Sequence, residues 1–524
     1  MADVSLEALR VRNLRCLSDT GRIPIRPITV LVGRNSSGKS TFLRAFPLLR
    51  QSVETATESP ILWYHERYVD FGALSQAINH RAVDPSVTFE FSVTLPESAG
   101  VALGTPVFDV AMTVAEGEPP QGPYVREYVI KCLEHTASLR FTPLGNLLSF
   151  SVNGVDVRPS EAEMSLGGTA YLLSTLRPGS HGKVTYQPVI QPLHLDPPKY
   201  REPDSEPLLG ELCLEALKPV LHGSTQEDAL VGIGAELRIG DIKAMWQRFT
   251  AVIGGRHLNK DFEAKGPKSA RFRKIANRTV AYLVPHILEA VDQQVADFMD
   301  RVAYLAPLRA TAARSYRMQD LSVNDVDPDG KNLAMFMRSL SKEQLESFAA
   351  FTRTHLGFES RVDVSGIHAE ILVKEPGSDR HINLVDIGFG YTEVLPLMAI
   401  LWSTCCREPT NGNKPASLLA IEQPELHLHP AHQAKLAAVI AGAWRTSRDA
   451  KREVKIMVET HSEGLVNKMG DLVRDGTIAA SDVQIVFFDQ DPETRETEIV
   501  LTGYTKDGAL NDAWPFGFFS PVVD

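Results

Sequence analysis

"LVGRNSSGKSTFLRAF" (31–46) is the stretch on which the reading of this chain turns. Gly33-Arg34-Asn35-Ser36-Ser37-Gly38-Lys39-Ser40 fits the spacing G-x-x-x-x-G-K-[ST], and Thr41 follows. The β-rich "PITVLV" (27–32) precedes it, and apolar residues at Phe42, Leu43, Phe46, Leu48 and Leu49 continue it with helical spacing. The context is therefore strand, turn, helix. Glycines let such a turn wrap until backbone N–H groups face phosphate oxygens, and the helix N-terminus adds partial positive charge. Lys39 would reach the β- and γ-phosphates, and the Ser40 hydroxyl would ligate Mg²⁺. The other reading, a glycine–serine turn with a chance lysine, leaves the flanking strand and helix unexplained. ATP with Mg²⁺ is the expected ligand.

A second stretch, "LLAIEQPELHLHP" (418–430), tests whether that ligand is hydrolysed. An apolar strand ends in Glu422, then Gln423, Pro424 and Glu425. Many ATP-hydrolysing folds end this strand in two carboxylates, one near the metal and one near the attacking water. Here the second position is an amide, which cannot take up a proton but can orient a water. Glu425 is either a displaced base or a helix-entry or dimer-contact residue. His427, His429 and His432 have H-x-H-x-x-H spacing, which fits a metal set or an interface loop.

The 524 residues exceed what one core usually holds. The composition is that of a globular protein, with 43% hydrophobic and 23% charged residues. A net charge of −11 argues against a general nucleic-acid coat. The five cysteines (Cys16, Cys132, Cys213, Cys405, Cys406) have no metal-ligand spacing and fit reduced thiols. No apolar run is long enough to span a bilayer, so a cytoplasmic protein is expected. Between 86 and 157 the pattern alternates every second residue, with Asn153-Gly154 as a turn, predicting antiparallel strands. Proline is dense in "QPVIQPLHLDPPKYREPDSEP" (187–207), a crossing loop or boundary. Residues 209–302 read as mostly helical, and strand–helix alternation returns after "HAEILVKE" (368–375) and "HINLVDIG" (381–388). The expected segments are 1–75, an N-terminal part of an ATPase core; 76–185, a β-rich subdomain; 186–358, a mainly helical insertion; 359–500, the rest of the core; and 501–524, a tail.

The ordered set "LVGRNSSGKST", "VDIGFGYTEVLPLMAIL", "LLAIEQPELHLHP" and "IMVETHSEGLV" resembles the ABC-type ATPase heads of the AAA-like ATPases. The group includes relatives of the overcoming-lysogenization-defect (OLD) proteins, recombination-repair ATPases and chromosome-maintenance heads. "YLAPLRATAARSY" and the closing "GYTKDGALNDAWPFGFF" look like a bacterial branch of it. The resemblance implies an α/β P-loop head with an antiparallel β subdomain and a largely helical insertion. It makes Gly33 to Thr41 the Walker A loop, Glu422 the metal-side carboxylate and His461 the switch histidine at the γ-phosphate. Gln423 stands at the catalytic glutamate's position. Gly388, Gly390, Thr392 and Glu393 occupy the signature, which in that architecture completes the site of a second subunit. A head-to-tail homodimer with ATP at the interface is therefore implied, with a higher oligomer as a further option. "YVDFG" (68–72) is the candidate Q-loop, and Arg12 or Arg15 the adenine contact.

With Gln423 as it is, slow turnover and a long-lived ATP state are expected. The chain ends soon after the core, so the Toprim nuclease domain of longer OLD relatives is not expected, and cutting or killing would fall to a partner. Two function classes follow. One is an ATPase sensor-scaffold that gates a separate nuclease or toxin in antiphage defence or a toxin–antitoxin system. The other is a repair or chromosome-maintenance ATPase acting on DNA. For the second, residues 254–278 offer Arg256, Lys260, Lys265, Lys268, Arg271, Arg273, Lys274 and Arg278, interleaved with Phe262 and Phe272. A solvated helix face or protein-binding loop is the alternative.

Overall fold

The computed structural model describes residues 5–119, 121–158, 164–178, 184–186, 215–218, 233–234, 236–253, 258, 260–317, 323–408 and 415–511. The chain forms two compact units, one of residues 25–50, 64–70 and 301–524, the other of residues 1–24, 51–63 and 71–300.

The first unit is an α/β layer structure. The six strands of its main sheet among the described residues are β1 (Ile28–Gly33), β2 (Val302–Leu305), β3 (Leu418–Glu422), β4 (Lys455–Glu459), β5 (Val483–Gln490) and β6 (Thr497–Thr502), in the order β2-β3-β4-β1-β5-β6. Neighbours are parallel except β5 and β6, which form an antiparallel hairpin at the edge. All residues of β1 and of β3 are buried, as expected of parallel strands covered on both faces. Helices α1 (Lys39–Glu54), α2 (Phe389–Leu401), α3 (Pro430–Asp449) and α4 (Glu463–Arg474) belong to the same layer system. Ser462 caps α4, its hydroxyl accepting the Leu465 N–H at 3.2 Å, so the chain leaving β4 turns directly into the helix.

Ser341 and Gln344 form a capping box on the helix Lys342–Leu356, and Gly357 (φ 81°) ends it. The hairpin Glu359–Ser365 and His368–Lys374 follows. Of "HINLVDIG", only Ile382–Asn383 is strand. The Asn383 side chain accepts the Val385 N–H at 3.2 Å and its carbonyl accepts the Asp386 N–H at 2.9 Å, which turns the chain towards α2.

The second unit holds the expected antiparallel strands. Ser86–Thr94, Val107–Ala115, Tyr124–Cys132, His135–Phe141, Leu147–Val152 and Val155–Asp156 pair in sequence, and Ser5–Leu14 joins beside Ser86–Thr94. Asn153 (φ 53°) and Gly154 (φ 76°) make the turn that alternation around them predicts. The 31-residue helix Ala270–Asp300 carries Asp292, whose buried carboxylate accepts the backbone N–H groups of Tyr171, Leu172 and Leu173. Phe262 and Phe272, which the sequence interleaves with cations, are buried against Trp246 and Phe249. They are core, not a stacking surface. The proline-dense stretch 187–207 and the tail beyond 511 lie outside the described residues.

Among the described residues no helix is long and apolar enough to cross a membrane. Among the described residues Cys16, Cys132, Cys405 and Cys406 form no disulfide, and Cys213 lies outside the described residues.

Candidate nucleotide site

The glycine-rich loop runs from the end of β1 into α1. A Cβ on Gly33 would stand 2.4 Å from the Phe488 carbonyl oxygen and 2.9 Å from Ser37 Oγ, so only glycine fits there. Gly38 (φ 103°) makes the second sharp bend, and Ser36 (φ 64°) takes a left-handed conformation without being glycine. Arg34, Asn35 and Ser36 are exposed, while Ser37, Gly38 and Lys39 are buried. Lys39 Nζ donates to the carbonyls of Gly33 (2.9 Å) and Arg34 (2.6 Å), curling over the loop that it would serve. The edge hairpin grips the loop from outside. Thr497 Oγ1 donates to the Ser37 carbonyl at 2.9 Å, and Gln490 Nε2 to the Ser36 carbonyl at 3.4 Å.

Because β4 lies between β3 and β1, two carboxylates arrive side by side at the strand ends: Glu422 and Glu459 are register partners. Their environments differ. Glu422 Oε1 accepts from Arg44 Nε (2.8 Å) and Tyr304 OH (2.7 Å), and its Oε2 accepts from Arg44 Nη2 (2.8 Å). Glu459 Oε1 accepts from the Ser40 hydroxyl at 2.7 Å, and its Oε2 is buried with no hydrogen-bond partner among the described residues. Burial, reinforced by the Glu422 charge, pushes the Glu459 carboxyl up to about 7, against the pull of Ser40 and Lys39.

Gln423 follows Glu422 in a left-handed conformation (φ 42°), its N–H donating to the Glu459 carbonyl at 2.9 Å. Glu425 is buried, and its Oε1 accepts the His461 backbone N–H at 2.6 Å. Glu425, read from the sequence as either a displaced base or a helix-entry or dimer-contact residue, thus holds the backbone of the expected switch histidine. Burial raises the Glu425 carboxyl and opposes that hydrogen bond. Burial, together with the Lys39 charge, holds the His461 imidazole down to about 4, so it is neutral at physiological pH. His429 and His432 rings are 6.4 Å apart, and among the described residues no three His, Cys, Asp or Glu are grouped to hold a metal.

Arg309, from "YLAPLR", ties this end of the sheet to the signature helix. It donates to the carbonyls of Gln423 (3.4 Å) and Glu422 (3.5 Å) and stands 3.9 Å from Glu393 Oε2. Burial lowers the Arg309 pKa and raises that of Glu393, and the attraction between the two charges opposes both shifts. Gly388 begins α2 with φ 108°, and a Cβ on Gly388 or Gly390 would meet nothing within 4 Å. Thr392 is half-buried on the first turn. Of the other expected contacts, the Arg15 guanidinium lies over the Phe71 ring at 4.3 Å, and Tyr68 of the candidate Q-loop lies under the guanidinium of Arg50 at 5.0 Å.

Sequence reading did not find Glu459, Arg44, Tyr304, Arg309, Gln490 or Thr497. Glu459 carried a signal, since "KIMVE" ends an apolar strand in a carboxylate just as "LLAIE" does. In the basic island, Lys265, Lys268, Arg271, Arg273 and Lys274 are exposed, Arg278 pairs with Glu215 at 2.9 Å, and Arg256 lies outside the described residues.

Residues 5–81 and 307–466 match the family AAA_15, described as an AAA ATPase domain. Those limits take in the loop, Arg309, the signature, Glu422 to Glu425, Glu459 and His461. A 48-residue stretch is 46% identical to a protein named OLD nuclease from Thermus scotoductus; it amounts to 9% of each chain. The chain therefore spans far less than two thirds of that relative. An Smc head domain from Pyrococcus furiosus, with an extended coiled coil and bound to the C-terminal domain of ScpA, aligns over 96% of this chain and 97% of its own. Identity is 13% and the TM-score 0.38. The SMC head domain from Thermotoga maritima aligns over 94% and 98%, at 10% identity and a TM-score of 0.34. Both likenesses are too loose to argue from.

Proposed function

We propose that the chain is an AAA ATPase of the ABC-type, OLD-related group, and that it binds ATP with Mg²⁺ and hydrolyses it slowly. The observation that carries this reading is the position after the metal-side strand. It holds Gln423, and the carboxylate two residues on, Glu425, is engaged with the His461 backbone. The cradle fits the ligand: Gly33 leaves room only for backbone, and Ser37 Oγ and Glu459 Oε2 are buried acceptors without partners among the described residues. Lys39 and the loop N–H groups would hold the phosphates, and Ser40 with a strand-end carboxylate, Glu422 or Glu459, would hold Mg²⁺. The metal supplies charge neutralisation at the phosphate oxygens. Gln423 orients the attacking water, and neutral His461 donates a hydrogen bond towards the γ-phosphate without adding charge.

In this reading the long-lived ATP state is the output. Gly388, Gly390, Thr392 and Glu393 would complete the site of a second copy, giving a head-to-tail dimer in the cytoplasm. The open space over Gly388 and Gly390 supports it. The dimer would gate a separate effector, a nuclease or toxin in an antiphage or toxin–antitoxin system. The likeness to a protein named OLD nuclease supports linking such an ATPase to nucleic-acid cutting. A second reading, an ATPase acting directly on DNA, draws on the exposed cations Lys265, Lys268, Arg271, Arg273 and Lys274.

Calorimetry and single-turnover kinetics test the proposal. Lys39→Ala should weaken ATP binding by about 100-fold or more, the cost of a lost buried charge contact. Wild-type turnover should lie on the order of 10⁻⁴ to 10⁻² per second, the range of nucleotide switches that lack a general base. A rate of tens per second would refute the slow-switch reading. Glu425→Gln separates the two readings of that residue. A loss of about tenfold or more makes it the base, whereas an unchanged rate leaves it as the anchor of His461.

A further inference from the structure

Glu422 stands where the metal-side carboxylate is expected, yet both of its oxygens are already engaged. The Arg44 fork engages both of its oxygens and Tyr304 adds a third donor, all at 2.7–2.8 Å. Such a bidentate pair neutralises the carboxylate and fixes its plane. Arg44 lies one helical turn beyond Ser40 on α1, so the pair bolts that helix to the end of β3. To serve a cation, Glu422 would have to release a buried arginine, which is costly.

Glu459 has the opposite character. It is 1% exposed, and among the described residues it has no arginine or lysine ion pair and its Oε2 has no donor. Its Oε1 accepts the Ser40 hydroxyl proton at 2.7 Å. A serine that ligates a cation must offer it an oxygen lone pair, so its proton has to go to another acceptor. Glu459 is that acceptor. Register puts Glu459 on the strand next to β1, opposite Leu31, while Glu422 is one strand further from the glycine-rich loop.

We propose that Glu459, through its free Oε2 and its bond to Ser40, is the carboxylate of the divalent-cation site in the nucleotide pocket, and that Glu422 is the structural counter-ion of Arg44. A magnesium ion binds proteins through one or two such groups, with phosphates and water completing its shell. Ser40 and Glu459 meet that need without a larger cluster. This inference rests on the ATP reading above.

The test uses the full chain, a non-hydrolysable ATP analogue and Mn²⁺ in place of Mg²⁺, with nucleotide binding followed by calorimetry in chelator and Mn²⁺ binding by electron paramagnetic resonance. Glu459→Gln should weaken Mn²⁺ binding to the nucleotide complex by about tenfold or more, with chelator-condition nucleotide affinity retained. The paired change Arg44→Gln with Glu422→Gln removes both charges of the clamp together and should retain wild-type Mn²⁺ affinity. Normal Mn²⁺ affinity in Glu459→Gln, or its loss only in the paired variant, overturns the proposal. If Glu459→Gln does not fold, Glu459→Asp keeps the charge but withdraws it by one methylene. It too should lose Mn²⁺ affinity, and normal binding there overturns the proposal equally. A wild-type chain that takes up no nucleotide with or without metal would instead overturn the ATP reading itself.

Discussion

Asp292 in the antiparallel unit and Glu459 in the parallel one are both carboxylates taken out of water, at 5% and 1% exposure. Asp292 spends its acceptor capacity within the fold. Its Oδ2 accepts Tyr171 N–H at 2.9 Å, and its Oδ1 accepts Leu172 and Leu173 N–H at 2.7 and 2.6 Å. Glu459 accepts one hydroxyl, and its other oxygen has no partner among the described residues. Burial lifts both carboxyls, to about 6 for Asp292 and about 7 for Glu459. Depth and titration therefore do not distinguish them. Unspent bonding capacity does: a saturated buried carboxylate holds a fold together, and an unsaturated one is kept for something that binds.

The contrast predicts opposite signs on mutation. Asp292→Asn leaves one acceptor oxygen and turns an NH₂ towards backbone donors, so it should cost about 3 kcal/mol of stability in chemical denaturation. A cost near zero would break the comparison from the structural side. Glu459→Gln should instead raise nucleotide-free stability by about 1–2 kcal/mol at pH 8, because a buried charge is removed from a site optimised for binding. A variant less stable than wild type would break it from the functional side.

The pH dependence of that gain has a defined sign. The folded Glu459 carboxyl sits at about 7, above its ordinary 4.5. Its own contribution to stability is thus fully present below about 4.5 and is lost as pH rises through about 7. The Gln variant's advantage should be absent near pH 4.5 and complete by pH 8. Asp292 acts with the same sign between its ordinary 3.8 and about 6.

Smaller effects sharpen the same contrast at two residues of positive φ. Asn153 (φ 53°) uses its side chain, accepting Thr136 N–H and donating to Asn277 Oδ1, both at 2.9 Å. Asn153→Gly should therefore cost about 1 kcal/mol. Ser36 (φ 64°), exposed in the phosphate loop, holds its conformation without the same side-chain bonding, and Ser36→Gly should gain about 0.5 kcal/mol. Melting curves of the two variants should move in opposite directions.

What the sequence made legible was local. The phosphate loop could be read because eight consecutive residues dictate its turns, and strands 86–157 because alternation is written along each strand. The strand order could not be read the same way. Glu422 and Glu459 are neighbours only because β4 lies between β3 and β1, and no spacing along the chain encodes that. The grip of Gln490 and Thr497 on the loop spans more than 450 residues of sequence, and Asp292 reaches donors about 120 residues away. Phe262 and Phe272 misled for a related reason. Cations beside aromatics look alike whether the rings face solvent or Trp246.

The sheet order also fixes a timetable for synthesis. Strand β1, with the phosphate loop at its tip, leaves the ribosome well before both its partners, β4 and β5, which lie after residue 454. At about 5–20 residues per second, it waits on the order of half a minute or more for a neighbour. Through that interval an apolar strand with two unpaired edges is a target for chaperones and for mispairing with other nascent chains. Strand Ser5–Leu14, a few residues ahead of it, finds Ser86–Thr94 after fewer than a hundred residues. One end of the chain can thus fold early while the segment beside it is held in reserve, and expression at low temperature or with added chaperones should favour the intact nucleotide site over the antiparallel sheet.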